Sequence, residues 1–368
     1  ITNNNENFDF EVYFSEVFHE KRGFDIIIAN PPYGNLLSNA EKAVISKKYK
    51  SYASEIAAIF VEKYLSLLKK DGTITNIITS AIAYHTSLSY SRYLLQNNFS
   101  NTTLFTFDRD PVGLFDSMSQ SVCVFISSNY QPNCKGNFYT SASLRTTLEV
   151  KQDLERVVYS LPACLANSYL LGNSIGVDFT TQHRLPKIGD GIVTSIINKL
   201  IQQPKQIRDV MCEDKRNQLI IRTSGNYWYN AFDRKPYKST EIKTLFIINE
   251  TYRNFLLVLV NSSLFYLWGR VYSDGRHMPV GLLKLFHLPD EKTLSMYSGE
   301  IGKLSQKIMT DLFSVFNAKS NQFQTRLIKS SINDLDIMLA KIYGLSEEEL
   351  AYIINYDGCI RNKDIRNR

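Results

Sequence analysis

Residues Asn30 to Gly34 place an amide, two prolines, an aromatic ring and a glycine in five consecutive positions. An amide offers both a hydrogen-bond acceptor and donors, and a ring can cover a flat group. Together they suit one task, holding a planar nucleobase by its polar edge while the ring covers its face. Proline has no N–H and a fixed φ, so Pro31 and Pro32 must end any ladder and hold Asn30 extended. The run Ile26, Ile27, Ile28 before them predicts a strand, and its unbroken β-branched character predicts burial on both faces. The loop would then stand at the carboxyl end of a strand, where open α/β sheets bind ligands. Pro-Pro can also close an ordinary turn, so the neighbouring elements have to decide.

Asn30-Pro31-Pro32-Tyr33 after an apolar strand resembles the catalytic motif of amino-group DNA methyltransferases, and with Gly34 it is similar to the N6-adenine enzymes. The resemblance implies S-adenosylmethionine as cofactor and a base flipped out of duplex DNA. It implies that the Asn30 side chain and the Pro31 carbonyl accept hydrogen bonds from the adenine amino group. Tyr33 would stack on the base, and Pro31 would also border the cofactor. Phe115 stands where the family places a further aromatic against the base, whereas Phe105, Phe107 and Phe125 are expected in the core.

The elements that must position this loop follow it in sequence. Ile56, Ile59, Phe60, Tyr64, Leu67 and Leu68 recur at three- and four-residue steps and predict one face of a helix. Lys69 and Lys70 suit its last turn, Asp71-Gly72 its end, and Ser54 and Glu55 its cap. A strand is expected over 73–79, a helix over 89–97 and strands over 102–107 and 122–126. Residues 1–145 thus read as α/β, a partial Rossmann-like methyltransferase sheet. The 29 residues before Asn30 hold one glycine, Gly23, and no Gly-x-Gly turn of the kind that grips a nucleotide cofactor. The expectation is a chain that begins inside a longer polypeptide and has its main cofactor site elsewhere, on an upstream segment or subunit.

Beyond residue 140 the pattern turns helical and charged, which predicts a helical connector over 146–172. The resemblance then implies a mixed α+β target-recognition domain over 173–294, with one short helix ending in Asn-Ser-Ser-Leu-Phe-Tyr-Leu-Trp at 261–268, and C-terminal helices over 295–368. The pattern over 190–203 predicts a helix closed by Pro204, and Leu335, Met338, Leu339 and Ile342 predict a helix face with a Gly344 stop and a Ser346 cap with Glu349 three on. Charge fits a polyanionic partner for this part and equally a moderately basic solvated surface: residues 1–150 carry 13 Lys+Arg against 14 Asp+Glu, the remainder 29 against 22. Arg222, Arg234, Lys235 and Lys238 are interleaved with Tyr227, Trp228, Tyr229 and Tyr237, which fits phosphate contact with stacking and equally a twisted hairpin with a solvated face. Arg276 and His277 lie in a Ser-Asp-Gly-Arg-His-Met turn; a loop arginine there fits a guanine edge, of which arginine is the commonest reader, but fits a phosphate contact or a free surface position better. Double-stranded DNA is the expected partner of Arg222, Tyr227, Arg234, Lys235, Lys238, Arg276 and His277.

Other classes are narrowed by composition. Five cysteines without a Cys-x-x-Cys pair argue against a zinc site or a disulfide framework and for a reducing cytoplasm. No stretch approaches the ~18 apolar residues of a membrane span. Two alternatives stay open: a DNA-recognition fragment that depends on a cofactor-binding part outside this chain, and a methyltransferase acting on RNA or protein through a similar loop.

Overall fold

The computed structural model describes residues 8–51, 55–110, 112–115, 120–145, 166–167, 184–189, 191–225 and 227–361. They fall into two units, Ile1–Gly189 and Asp190–Arg368.

In the first unit the isoleucine run forms β1, Phe24–Ala29, which stops one residue before Asn30 as the prolines require. Burial on both faces is not observed. Strand β1 is at the edge of its sheet, and Ile26 and Ile28 are 61% and 78% exposed. Helix α1, Asn39–Lys48, follows with a Ser38–Glu41 capping box, and helix α2 covers Ile56–Tyr64. The buried positions of α2 include Ala57, Ala58, Val61 and Tyr64, while Phe60 is 37% exposed, so the apolar spacing misplaced part of the face.

Strand β2, Leu68–Thr79, begins where the last helical turn was expected. It runs parallel to β1, with Phe24 opposite Leu68 and Ile26 opposite Thr73. Residues 69–72 therefore bulge opposite Asp25, and Lys69 forms an ion pair with that carboxylate. Asp71, at φ 62°, and Gly72 turn this bulge rather than stop a helix.

Helix α3, Ser89–Asn98, then leads into β3, Phe99–Phe107, with β4 over Val122–Tyr130 and β5 over Asn137–Leu144. With β6, Ala166–Asn167, they complete a six-stranded sheet of order β1-β2-β4-β3-β5-β6. The fold is α/β with a mixed sheet: β1 and β2 are parallel, as are β3 and β5, and β4 is antiparallel to both its neighbours. Strand β6 and the part of β5 from residue 140 onward occupy positions where the sequence pattern predicts helix. Most of the expected connector over 146–172, all but Ala166 and Asn167, lies outside the described residues. Phe107 and Phe125 are buried, as expected.

The second unit opens with α4, Gly191–Ile201. Strands β7 (Gln218–Arg222), β8 (Asn230–Phe232) and β9 (Ile242–Phe246) form an antiparallel sheet with β7 in the centre. Helices α5, Glu250–Val260, and α6, Ser263–Tyr272, are bent by 73° where a single helix was expected. The break has a local cause. The Asn261 amide donates to Leu257 O and Ala231 O, and Ser262 accepts from Phe265 N–H to start the next helix. Every residue of α6 is buried, which explains its all-round apolar character. No single described helix is long and apolar enough to cross a membrane.

Helices α7 (Ser298–Ser314), α8 (Lys329–Tyr343) and α9 (Glu347–Asn355) close the unit. The spacing of Leu335, Met338, Leu339 and Ile342 does mark a buried face. Gly344 takes the left-handed C-cap at φ 65°, and Ser346 with Glu349 forms the expected capping box. Glu349 also binds Lys199 of α4 at 2.6 Å.

Gly23 is the position at which the entry to β1 tolerates least change. Its φ is +132°, and a Cβ there would meet Leu67 O at 2.7 Å and Lys69 N at 2.8 Å, both backbone atoms. Gly23→Ala is expected to destabilise the protein by about 2 kcal/mol. Urea unfolding checks this: the midpoint falls with m unchanged, and an unmoved midpoint contradicts it.

Candidate functional site

The loop after β1 has no N–H groups at Pro31 and Pro32, so side chains must hold it. Pro31 is buried, and Asn30 and Pro32 are exposed. Tyr33 is half-buried and packs against the core of the first unit. Its hydroxyl lies 2.9 Å from Asn30 Oδ1 and 3.2 Å from Ile77 O, donating toward both. Burial raises the phenol's pKa, so at neutral pH the hydroxyl keeps its proton and acts as donor. Asn30 is thereby oriented at the carboxyl end of β1, with a second lone pair on Oδ1 facing outward from that bond.

Glu55 completes the loop in a way its sequence position did not suggest. It sits at the N-cap of α2 but makes no side-chain cap bond. Instead its Oε1 accepts from Gly34 N–H at 3.0 Å, while Ile56 N–H donates to Gly34 O at 3.3 Å. Gly34 is at φ 82°, a conformation natural to glycine. Ser54 lies outside the described residues. Phe115 is 40% exposed in the segment between β3 and β4, and residues 116–119 beside it are outside the described residues.

S-adenosylmethionine would need donors for its carboxylate and an acceptor for its ribose hydroxyls. The one carboxylate bonded to the loop among the described residues, Glu55, is occupied by Gly34. The flank of β1 is an open edge with Ile26 and Ile28 exposed.

In the second unit four of the seven residues expected at DNA come together. Arg222, Tyr227, Arg276 and His277 line one cavity of about 440 Å³ with Trp228 and Glu241. Arg234, Lys235 and Lys238 are exposed and do not line it, and the Arg234 guanidinium lies 4.0 Å over the Phe313 ring. The cavity walls are pinned to one another. Gly225 N–H donates to Arg276 O at 2.8 Å, and Met278 N–H to Thr223 O at 2.8 Å. Asp274 Oδ1 accepts from the N–H groups of Arg276 and His277 at 2.8 and 2.7 Å, and its Oδ2 meets His277 Nδ1 at 2.6 Å. Burial alone would raise the Asp274 pKa, yet the bonds from His277 and Arg276 hold it below the usual carboxylate value. The Arg361 guanidinium stacks 3.7 Å over Trp228 and donates to Tyr227 O. Glu55 was expected only as a cap, and Arg361 was not singled out from sequence. Their partners are 21 and 134 positions away, and no local pattern signals them.

Comparison with known proteins places the first unit's loop in a family context. Residues 1–112 match the family model described as Eco57I restriction-modification methylase. A 151-residue stretch is 29% identical to "Putative type II restriction enzyme and methyltransferase RM.MjaORFECS2P" of Methanocaldococcus jannaschii, covering 40% of this chain and 12% of that protein. The chain thus spans about an eighth of that relative's length. Among solved structures, the type IIL restriction-modification enzyme MmeI in complex with DNA superposes over 89% of this chain and 56% of its own, at 13% identity and TM-score 0.46. The type IIG restriction endonuclease BpuSI covers 88% and 54%, at 11% identity and TM-score 0.32. The segment that carries Asn30, Pro31 and Tyr33, residues 1–112, thus matches the restriction-modification methylase family.

Proposed function

We propose that this chain presents the exocyclic amino group of adenine in duplex DNA for methylation, as the acceptor-binding and target-recognition part of a restriction–modification methyltransferase. The observation that carries the reading is the exposed Asn30 amide, fixed by the Tyr33 hydroxyl at the end of β1, within the segment that matches a methylase family. An aromatic amine is a poor nucleophile because its lone pair is delocalised into the ring. Two acceptors, Asn30 Oδ1 and the Pro31 carbonyl, would draw its hydrogens out of plane and localise that pair. No strong base is required, and catalysis on this side is positioning and electrostatics. S-adenosylmethionine would supply an electrophilic methyl group, held mainly by groups other than those described.

The base must leave the duplex to reach Asn30, which costs a few kcal/mol of unstacking, and the Tyr33 ring would recover part of that by covering its face. The Tyr33 hydroxyl has a second role in this reading. While it donates to Asn30 Oδ1 it weakens that oxygen as an acceptor; turning toward Ile77 O, 3.2 Å away, restores it when the amine arrives. A variant of the reading, in which another segment or subunit completes the methyl-donor site, is favoured by the open β1 edge with its exposed isoleucines.

The polypeptide as its gene encodes it, given methyl-labelled S-adenosylmethionine, is expected to label duplex DNA as N6-methyladenine; label on RNA, protein or cytosine instead contradicts the proposal. Tyr33→Phe keeps the ring and removes the hydroxyl. It is expected to lower kcat about tenfold with DNA affinity within about twofold, and equal kcat would remove the hydroxyl from the mechanism. Calorimetry on these 368 residues alone is expected to give weak or no binding of S-adenosylmethionine, whereas micromolar affinity would place the cofactor site within them.

A further inference from the structure

The start of α2 departs from what a helix start ordinarily favours. Short oxygen side chains, those of Ser, Thr, Asp and Asn, are preferred at the N-cap because they reach back to the second or third N–H of their own helix. Glu55 holds that position and makes no such bond. Its longer side chain reaches away from the helix instead, and Oε1 accepts from Gly34 N–H at 3.0 Å, 21 residues upstream. Ile56 N–H in turn donates to Gly34 O at 3.3 Å. Both backbone polar groups of Gly34 are thus held by two consecutive residues at the start of α2.

This clasp acts on the residue next to Tyr33, whose hydroxyl lies 2.9 Å from Asn30 Oδ1. A Cβ at Gly34 would meet nothing within 4 Å, so glycine serves there for its φ of 82° and not for lack of space. Beyond the prolines the loop is therefore anchored at two points, through Tyr33 to Ile77 O of β2 and through Gly34 to α2. The helix forgoes a side-chain cap to supply the second anchor, which serves the geometry of the loop at the expense of local stability. An amide that acts by positioning needs such support, because a small displacement of the acting group costs rate steeply.

We propose that Glu55 is a positioning residue for methyl transfer: by clasping Gly34 it fixes the segment that carries Tyr33 and Asn30, and it does so as a hydrogen-bond acceptor, not as a charge. The inference rests on the methyl-transfer reading above and deepens it by adding a residue that acts through the loop.

Substitutions at Glu55, compared in the polypeptide as its gene encodes it at saturating duplex DNA and S-adenosylmethionine, separate this role from its rivals. Glu55→Asp keeps the charge and gains the reach of a cap for α2, but is too short for Gly34. Its kcat is expected to fall about tenfold while the urea midpoint stays or rises. Glu55→Gln removes the charge and keeps an acceptor oxygen at the same reach, so it is expected to hold kcat to within about threefold. Glu55→Ala loses the acceptor and should match the Asp variant in kcat, with DNA affinity within about twofold of the unsubstituted protein. The Asp and Gln variants decide the matter even if the Ala variant fails to fold. A kcat that follows the urea midpoint across the series marks a purely structural role and overturns the inference. A slow Gln variant beside an unimpaired Asp variant marks a requirement for charge and overturns it too, as does an unchanged kcat throughout. These outcomes leave the proposed function standing, whereas no methyl transfer to duplex DNA by the unsubstituted polypeptide overturns that function and this inference with it.

Discussion

Two consecutive residues without N–H groups stand at the carboxyl end of β1, and the candidate site depends on how that deficit is met. Pro31 and Pro32 end the strand and cannot tether the loop by backbone bonds of their own. The tethers are mostly side chains, the Tyr33 hydroxyl toward Asn30 Oδ1 and Ile77 O and the Glu55 carboxylate on Gly34 N–H, joined by one backbone bond from Ile56 N–H to Gly34 O. Because Tyr33 is packed against the core, the orientation of the exposed Asn30 amide is coupled to the interior of the unit and not left to solvent. Such coupling is what an amide must have if it is to act by positioning.

The second unit meets a similar demand with different means. Its cavity is assembled from short segments around residues 222–225, 227–230, 241, 276–277 and 322–325. Backbone bonds between 223–225 and 276–278, the Asp274 carboxylate and the Arg361 stack on Trp228 link them into one wall. In the reading proposed above, chemistry on a base and recognition of sequence are carried by separate units of the chain. Each unit combines local bonds, Tyr33 on Asn30 and Asp274 on Arg276 and His277, with contacts distant in sequence.

What was legible beforehand was local. The end of β1, the helices Ser89–Asn98 and Gly191–Ile201, the Gly344 stop and the Ser346–Glu349 box follow from rules spanning four or five residues. Where those rules misled, the competing cause was tertiary. Asp71-Gly72 has the composition of a helix end yet turns a bulge, because Leu68 pairs with Phe24 and draws the segment into the sheet. The isoleucines of β1 have the composition of a buried strand yet lie at an edge, since strand order is not written in a strand's own residues. The break at Asn261-Ser262 was readable in principle as a cap, but the apolar runs on both sides of it outweighed that signal. Arg222, Tyr227, Arg276 and His277 were recognised as a group by type, whereas their separation from Arg234, Lys235 and Lys238 required the fold.

The account stands or falls on Asn30 as the acceptor for a substrate amine. The most direct measurement compares Asn30→Ala with the unsubstituted polypeptide, as its gene encodes it, for methyl transfer to duplex DNA and for DNA affinity in the same preparation. The account predicts that transfer falls by at least about 10²-fold while affinity changes little, since the amide acts on the transferring group and not on the duplex. Turnover near that of the unsubstituted protein would contradict it.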